Sequence, residues 1–153
     1  MAAKVYVKSF IQLVIDGNSV DFGSFNQANV VNVDGEHKDD RRTVTASGGT
    51  ETLWDKTLAS EGLGDFDFLA IAATGDCTLE FIVDSDNSIG TVVFTVELKG
   101  GKDGLLGAPF ILASDGSNAN ASAGFGGTID TIDKIAVKNA GSSDITVRML
   151  MVT

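Results

Sequence analysis

The sequence predicts an all-β protein built as a two-sheet antiparallel β-sandwich. Short apolar or alternating runs recur along the 153 residues, and clusters of Gly, Asp, Asn and Ser separate them, as expected for strands joined by turns. We find no long run with the apolar period of a helix. Strands at this spacing favour a sandwich, and the predicted strands are residues 4–15, 30–33, 42–46, 52–59, 65–73, 77–84, 90–99, 109–113, 129–138 and 145–152.

Alternation within three of these strands assigns their faces, because successive side chains of a strand point to opposite sides of a sheet. The residues predicted to face the core are Cys77, Leu79, Phe81 and Val83, then Val92, Phe94, Val96 and Leu98, and finally Ile145, Val147, Met149 and Met151. The last strand carries Leu150 and Val152 beside Arg148 on its other face. We expect these two residues either to cover a neighbouring strand's edge or to contact another subunit.

Composition excludes several classes of partner and scaffold. The net charge is −10, and the acidic residues are spread over both halves of the chain. A protein without a basic stripe repels phosphates, so nucleic acid and anionic membrane surfaces are not expected partners. One cysteine cannot form an intrachain disulfide. The apolar stretch at residues 10–15 is interrupted by Gln12 and is too short for a secretory or membrane segment.

Three segments resemble ligand-binding loops, and each departs from its template. Residues 84–90 alternate side-chain oxygens as calcium sites do, but Ile89 stands where an EF-hand needs Gly and Thr95 where it needs Glu. A hairpin turn explains them better. Residues 98–104 lack the Walker spacing, and a flexible connection is expected there. Residues 124–127 lack the context of a dinucleotide fingerprint. The sequence therefore predicts neither a metal nor a cofactor.

No catalytic residue is predicted, since catalysis needs a nucleophile with a base, or an acid with a base. His37 is the single histidine and lies in a charge-dense segment, and Cys77 begins an alternating strand as a small core residue would. Trp54 and Tyr6, with Phe22 or Phe25, could form a sugar-stacking platform. A carbohydrate- or receptor-binding module, such as a phage tail or fibre component, is therefore the alternative to a structural protein, although a lone Trp in a strand is usually part of the core.

Four segments rich in apolar residues precede the terminal strand, at residues 69–72, 76–81, 107–112 and 134–139. In this order, residues 50–153 resemble the small jelly-roll virion proteins of tailed bacteriophages, especially capsid decoration (cement) proteins. The resemblance implies a non-enzymatic protein of the virion that self-associates, often as a trimer, and binds the lattice of the major capsid protein or another virion protein. It carries no functional residue across.

The whole chain is expected to form a single domain, with residues 1–50 as an N-terminal extension or a partner-contacting part. Residues 34–42 are predicted to be a solvated loop, because no apolar core could absorb their charges. Arg41 and Arg42 are the only adjacent basic pair, and an Arg fork can hold a partner's carboxylate. The candidate partner contacts are therefore Arg41, Arg42 and His37 in this loop, with Leu150 and Val152 on the terminal strand.

Overall fold

The computed structural model describes residues 3–7, 10–15, 18–23, 29–33, 36–48, 50–58, 66–83, 91–113 and 132–152. Their regular structure is β, with one short 3₁₀ turn at Lys102–Gly104. The strands are β1 Ala3–Val7, β2 Phe10–Ile15, β3 Asn18–Gly23, β4 Asn29–Val33, β5 His37–Val44, β6 Thr50–Asp55, β7 Phe68–Ala73, β8 Cys77–Val83, β9 Thr91–Leu98, β10 Phe110–Ala113, β11 Lys134–Lys138 and β12 Ile145–Val152.

Strands β5 to β12 form a jelly roll. β5 pairs with β12, β6 with β11, β7 with β10 and β8 with β9, so the chain folds into nested antiparallel pairs. β12 also pairs with β7, and β11 with β8. The result is a first sheet in the order β10-β7-β12-β5 and a second sheet in the order β6-β11-β8-β9, which is the double Greek key of a jelly roll. The predicted two-sheet antiparallel sandwich is confirmed.

The core lies between the inward faces of these two sheets, as the alternation predicts. Phe81 of the second sheet stacks on Phe94 at a centroid distance of 4.3 Å and meets Phe110 of the first sheet at 5.4 Å. Buried residues from both sheets complete the cluster, among them Leu69, Ile71, Met149 and Met151 from the first and Leu79, Ile135 and Val137 from the second. Apolar burial from both sheets therefore holds the sandwich together.

The N-terminal strands form pairs of their own. β1 pairs with β4, and β2 pairs with β3, both antiparallel. The predicted strand at residues 4–15 is thus two strands. β3 is absent from the sequence prediction, because its Asn, Ser, Asp and Gly residues are types that favour turns, and its pairing with β2 is not visible in its own composition.

The charge-dense segment is a strand and not the predicted loop. β5 covers His37–Val44 and pairs along its length with β12 at the edge of the first sheet. An edge strand can keep charged side chains in water, and those charges also discourage pairing with other chains. The prediction that these residues are solvated holds for part of the segment only: His37, Asp39 and Arg41 are exposed, whereas Lys38 and Arg42 are half-buried.

Two residues considered for chemistry belong to the core. Cys77 is a buried free thiol, and burial raises its pKa to about 11, with the nearby charges of Glu97 and Asp76 adding to the effect. It is the small core residue that the sequence predicts. Trp54 is fully buried and packs edge-to-face on Phe66 at 5.4 Å. It therefore cannot present its ring to a sugar.

Asp55 is a buried carboxylate that ends β6. Its Oδ1 accepts hydrogen bonds from the backbone N–H and the hydroxyl of Thr57 at 3.0 and 2.6 Å, and its Oδ2 lies 3.4 Å from Nζ of Lys134. Burial, the largest influence, raises the pKa of Asp55, but the Thr57 hydrogen bonds and the Lys134 charge outweigh it and hold the pKa below its usual value. The ionised form therefore stabilises the fold.

Replacing Asp55 with Asn should lower the free energy of unfolding at neutral pH by about 1–2 kcal/mol, through lost charge-assisted hydrogen bonds. A lowered folded-state pKa gives stability that is present above the unfolded pKa of about 3.9 and is lost as pH falls through the folded value. The difference between Asp55→Asn and the unaltered protein should shrink below about pH 4. Denaturant titrations across this range measure it, with the exposed Asp103→Asn as control. A difference that stays constant with pH would contradict the assignment.

Candidate partner interface

The outward face of the first sheet carries four of the five residues predicted to contact a partner. β12 directs Met149 and Met151 into the core, so its intervening residues face outward. The register places His37 opposite Val152, Asp39 opposite Leu150 and Arg41 opposite Arg148. His37 and Arg41 are exposed, Leu150 is half-buried, and Val152 is only 5% exposed.

Val152 therefore offers no surface to a partner. It is paired with Phe68, which is also buried although it shares the outward face. Of the two roles considered for this apolar pair, packing within the chain is the one that fits Val152. Leu150 keeps partial exposure between Asp39 and Ala70.

A two-pronged ion pair joins β5 to β12 on this face. Arg148 donates from Nε and Nη2 to the two carboxylate oxygens of Asp39 at 2.9 and 2.6 Å. The hydrogen bonds from Arg148 lower the pKa of Asp39, slight burial opposes them, and the charges of Arg148 and His37 add to the lowering. Because the pair is exposed, its main effect is to fix both side chains in place and not to add much stability.

Arg41 lies directly across from Arg148, so two guanidinium groups occupy one cross-strand pair. Like charges in this position are unfavourable. Arg148 is neutralised by Asp39, whereas Arg41 is exposed and makes no hydrogen bond or ion pair to the described residues. The face thus presents a planar donor group that fits a carboxylate.

Arg42 has a different role from Arg41, because neighbouring residues of a strand point to opposite faces. Its Nε donates to Asp40 Oδ2 at 2.7 Å, and its Nη1 donates to the carbonyl of Thr52 in β6. Arg42 therefore links the first sheet to the second. Of the two arginines predicted to contact a partner, Arg42 is therefore engaged in contacts within the protein.

The two buried polar residues among those described both have structural partners. Asp55 is held at the end of β6 by its hydrogen bonds and its nearby cation. Asn139 donates from Nδ2 to the carbonyls of Val44, Thr45 and Ser143, and its Oδ1 accepts from the N–H of Gly141. Asn139 thus ties the connection between β11 and β12 to the end of β5.

No three His, Cys, Asp or Glu side chains of the described residues are placed to hold a metal ion. The calcium-like residues 84–90 and the glycine-rich residues 124–127 lie outside the described part of the chain, as does Phe25. The side chains of Tyr6 and Phe22 lie outside it as well. In the part of the chain that the structure describes, no helix is long and apolar enough to cross a membrane.

The Asp39 and Arg148 pair is the part of this face that sequence reasoning misses. The two residues are separated by 109 positions in the chain, and no local pattern links them. The one available signal is that all three arginines of the chain fall at positions 41, 42 and 148, within the two strands that prove to be neighbours.

Comparison with known proteins identifies no family for this chain. No family model matches it, and no curated protein matches it significantly. A solved structure from work on Bacillus endospore appendages, which form a novel family of disulfide-linked pili, shares 13% sequence identity with it. The similarity covers 76% of this chain and 87% of the other, at a TM-score of 0.39. A similarity at this level carries no argument about either fold or function.

Proposed function

We propose that this chain is a non-enzymatic structural protein of a virion, a capsid decoration protein that self-associates and binds the capsid lattice. The jelly-roll order of β5 to β12 is the observation that supports it most. This is the architecture implied by the resemblance of residues 50–153 to phage decoration proteins. The interior of the described sandwich is committed to packing, and its buried polar groups hold strand ends in place.

The jelly roll alone does not specify a function, because one fold serves many functions. A decoration protein also needs a surface that binds the capsid lattice. The outward face of β5 and β12 supplies a candidate, with the exposed Arg41 beside the Asp39 and Arg148 pair. In a chain of net charge −10, this local group of arginines is suited to a carboxylate of the major capsid protein. A cyclic trimer is the proposed assembly, since matched symmetry allows several copies of this face to bind at once.

The proposal is tested on purified particles of a phage whose genome encodes the chain. Mass spectrometry should find the protein in these particles, in a copy number that scales with the capsid lattice. Absence from the particles would overturn the virion assignment. A copy number of only a few per particle would overturn lattice decoration in favour of a tail or fibre position.

Replacing Arg41 with Ala should leave the fold unchanged and weaken attachment to capsids by about three- to tenfold, with the larger effect at low salt because exposed charges are screened. Occupancy on purified particles at low and physiological salt measures this effect. Lys138→Ala, which removes an exposed cation from the second sheet, is the matched control and should leave occupancy unchanged.

Arg42→Ala distinguishes the role of Arg42 from that of Arg41, because Arg42 makes hydrogen bonds within the protein. It should lower the free energy of unfolding by about 1–2 kcal/mol without a comparable loss of occupancy at temperatures where the variant is folded.

Unchanged occupancy of Arg41→Ala at both salt concentrations would show that this face does not contact the lattice.

A further inference from the structure

The connection between β9 and β10, together with Ile111 of β10, carries an exposed apolar surface that the core does not explain. Leu105 is 69% exposed, Leu106 38% and Ile111 36%, and Ala108 and Pro109 between them are exposed as well. We call these five residues the apolar ridge. Single exposed apolar residues are ordinary on protein surfaces, but these five fall within seven consecutive positions of the chain. A group of exposed apolar residues is typical of an interaction site.

The ridge stands on a closely packed support. A side-chain Cβ at Gly101 would collide with the backbone of Leu105, and one at Gly107 would collide with the carbonyl of Lys99. The N–H of Gly107 also donates to the carbonyl of Ala73 in β7 at 2.8 Å. The connection thus folds back closely on itself and is tied to the first sheet.

A tight turn directs Leu105 outward. Asp103 and Gly104 both adopt positive φ, at 57° and 75°, and the N–H of Leu105 donates to the carbonyl of Lys102 at 3.0 Å. An Asp-Gly pair favours this conformation. The backbone at Leu105 is therefore held by the turn before any partner binds, which lowers the entropic cost of an interface.

The ridge also lacks charge in a highly charged chain. Residues 104–114 contain no charged side chain and are bounded by Asp103 and Asp115, whereas the chain as a whole carries 21 acidic and 11 basic residues. Close to the axis of a cyclic assembly, identical residues of neighbouring copies face each other. Copies with a net charge of −10 repel one another, and a contact surface without carboxylates adds nothing to this repulsion.

Strand β10, which contributes Ile111 to the ridge, supports the same conclusion. The edges of the two described four-stranded sheets are β5, β10, β6 and β9. β5 is charged along most of its length, β6 contains Glu51 and Asp55, and β9 contains Glu97, whereas β10 contains no charged residue. Charges on an edge strand hinder association with another chain, and β10 lacks this protection.

We propose that the apolar ridge is the surface through which copies of this chain meet, packed against the ridge of a second copy near the symmetry axis. This inference rests on the self-association in the proposed function and names its surface. It replaces the terminal strand in that role, because Val152 is buried. Within the ridge, Ile111 lies on the outward face of the first sheet, opposite Ala70 of β7. The arginines of that face lie on β12 and β5, beyond β7, so the ridge and the arginines lie towards opposite edges of the sheet.

Sedimentation at micromolar concentration tests the ridge. The double variant Leu105→Asp, Leu106→Asp places like charges at the contact and should weaken self-association tenfold or more. This is about the effect of losing the burial of one leucine side chain at the interface. Leu58→Asp is the matched control, since Leu58 is 48% exposed and lies outside the ridge, and it should associate as the unaltered protein does. Circular dichroism confirms that each variant is folded.

Cross-linking gives a second measurement. Because Cys77 is buried, a thiol introduced by Leu105→Cys is the accessible one, and mild oxidation should yield disulfide-linked pairs, whereas Leu58→Cys should not. An oligomer that keeps its mass in the Leu105 and Leu106 double variant would overturn the ridge and leave self-association intact. A monomer for the unaltered protein would overturn both, while the presence of the chain in virions is decided independently by mass spectrometry.

Discussion

Replacing Phe81 with Ala should lower the free energy of unfolding by about 3–5 kcal/mol, the usual cost of removing a buried aromatic ring. Phe81 is fully buried in β8, stacked on Phe94 of β9 and in contact with Phe110 of β10. It therefore belongs to the packing within the second sheet and to the contact between the two sheets. Backbone pairing of β8 with β9 and β11 limits how far the structure can close the resulting cavity.

Thermal and denaturant unfolding measure this loss. For a domain of this size each kcal/mol corresponds to about 2–4 °C in Tm. Leu58→Ala removes an exposed apolar side chain that lies outside the apolar ridge and should cost less than about 1 kcal/mol. A loss for Phe81→Ala as small as that of Leu58→Ala would show that the two sheets are not packed through this ring.

Replacing Asn139 with Ala should lower the free energy of unfolding by about 2–4 kcal/mol, because one buried and three partly buried backbone groups lose a hydrogen-bond partner together. Nδ2 of Asn139 lies 3.2 Å from the carbonyls of both Val44 and Thr45 and 3.0 Å from that of Ser143, and the N–H of Gly141 donates to its Oδ1 at 2.9 Å. The side chain is fully buried. Water cannot replace the buried bond to the carbonyl of Val44 without opening the structure.

Asn139→Leu separates hydrogen bonding from packing, since leucine has the same branching at Cγ, is somewhat larger and makes no hydrogen bond. We expect it to be destabilised as Asn139→Ala is, with hydrogen exchange increased at Gly141. Ser142→Ala, in an exposed position of the same connection, should stay within about 0.5 kcal/mol of the unaltered protein. Near-normal stability of Asn139→Leu would show that Asn139 stabilises the protein by packing and not by its hydrogen bonds.

The apolar alternation predicts much of the fold correctly. The sequence predicts a strand at residues 145–152, and β12 has these bounds. The predicted core positions Leu79, Phe81 and Met149 are buried. Such predictions succeed because burial of one face makes apolar residues recur at every second position of a strand. This pattern can be recognised without knowing the partner strand.

The structure of the charged segment could not be predicted from its own residues. The residues of β5 resemble a solvated loop because no run of apolar side chains marks them, yet they pair with β12 along eight positions. Whether such residues form an edge strand depends on a strand about 100 residues later in the chain. The different roles of Arg41 and Arg42 follow from the same pairing, which places one on the outward face and the other against Thr52.

Composition and period-two patterning are enough to predict an acidic, all-β protein with a two-sheet apolar core, because both are properties of residues and their near neighbours. Only the folded chain shows the jelly-roll order of the strands, the pairing of Asp39 with Arg148, the burial of Val152 and the exposure of Leu105. Each of these depends on contacts between residues that are distant in the chain. Their free energy comes from the packing and pairing of whole strands, which no single segment encodes.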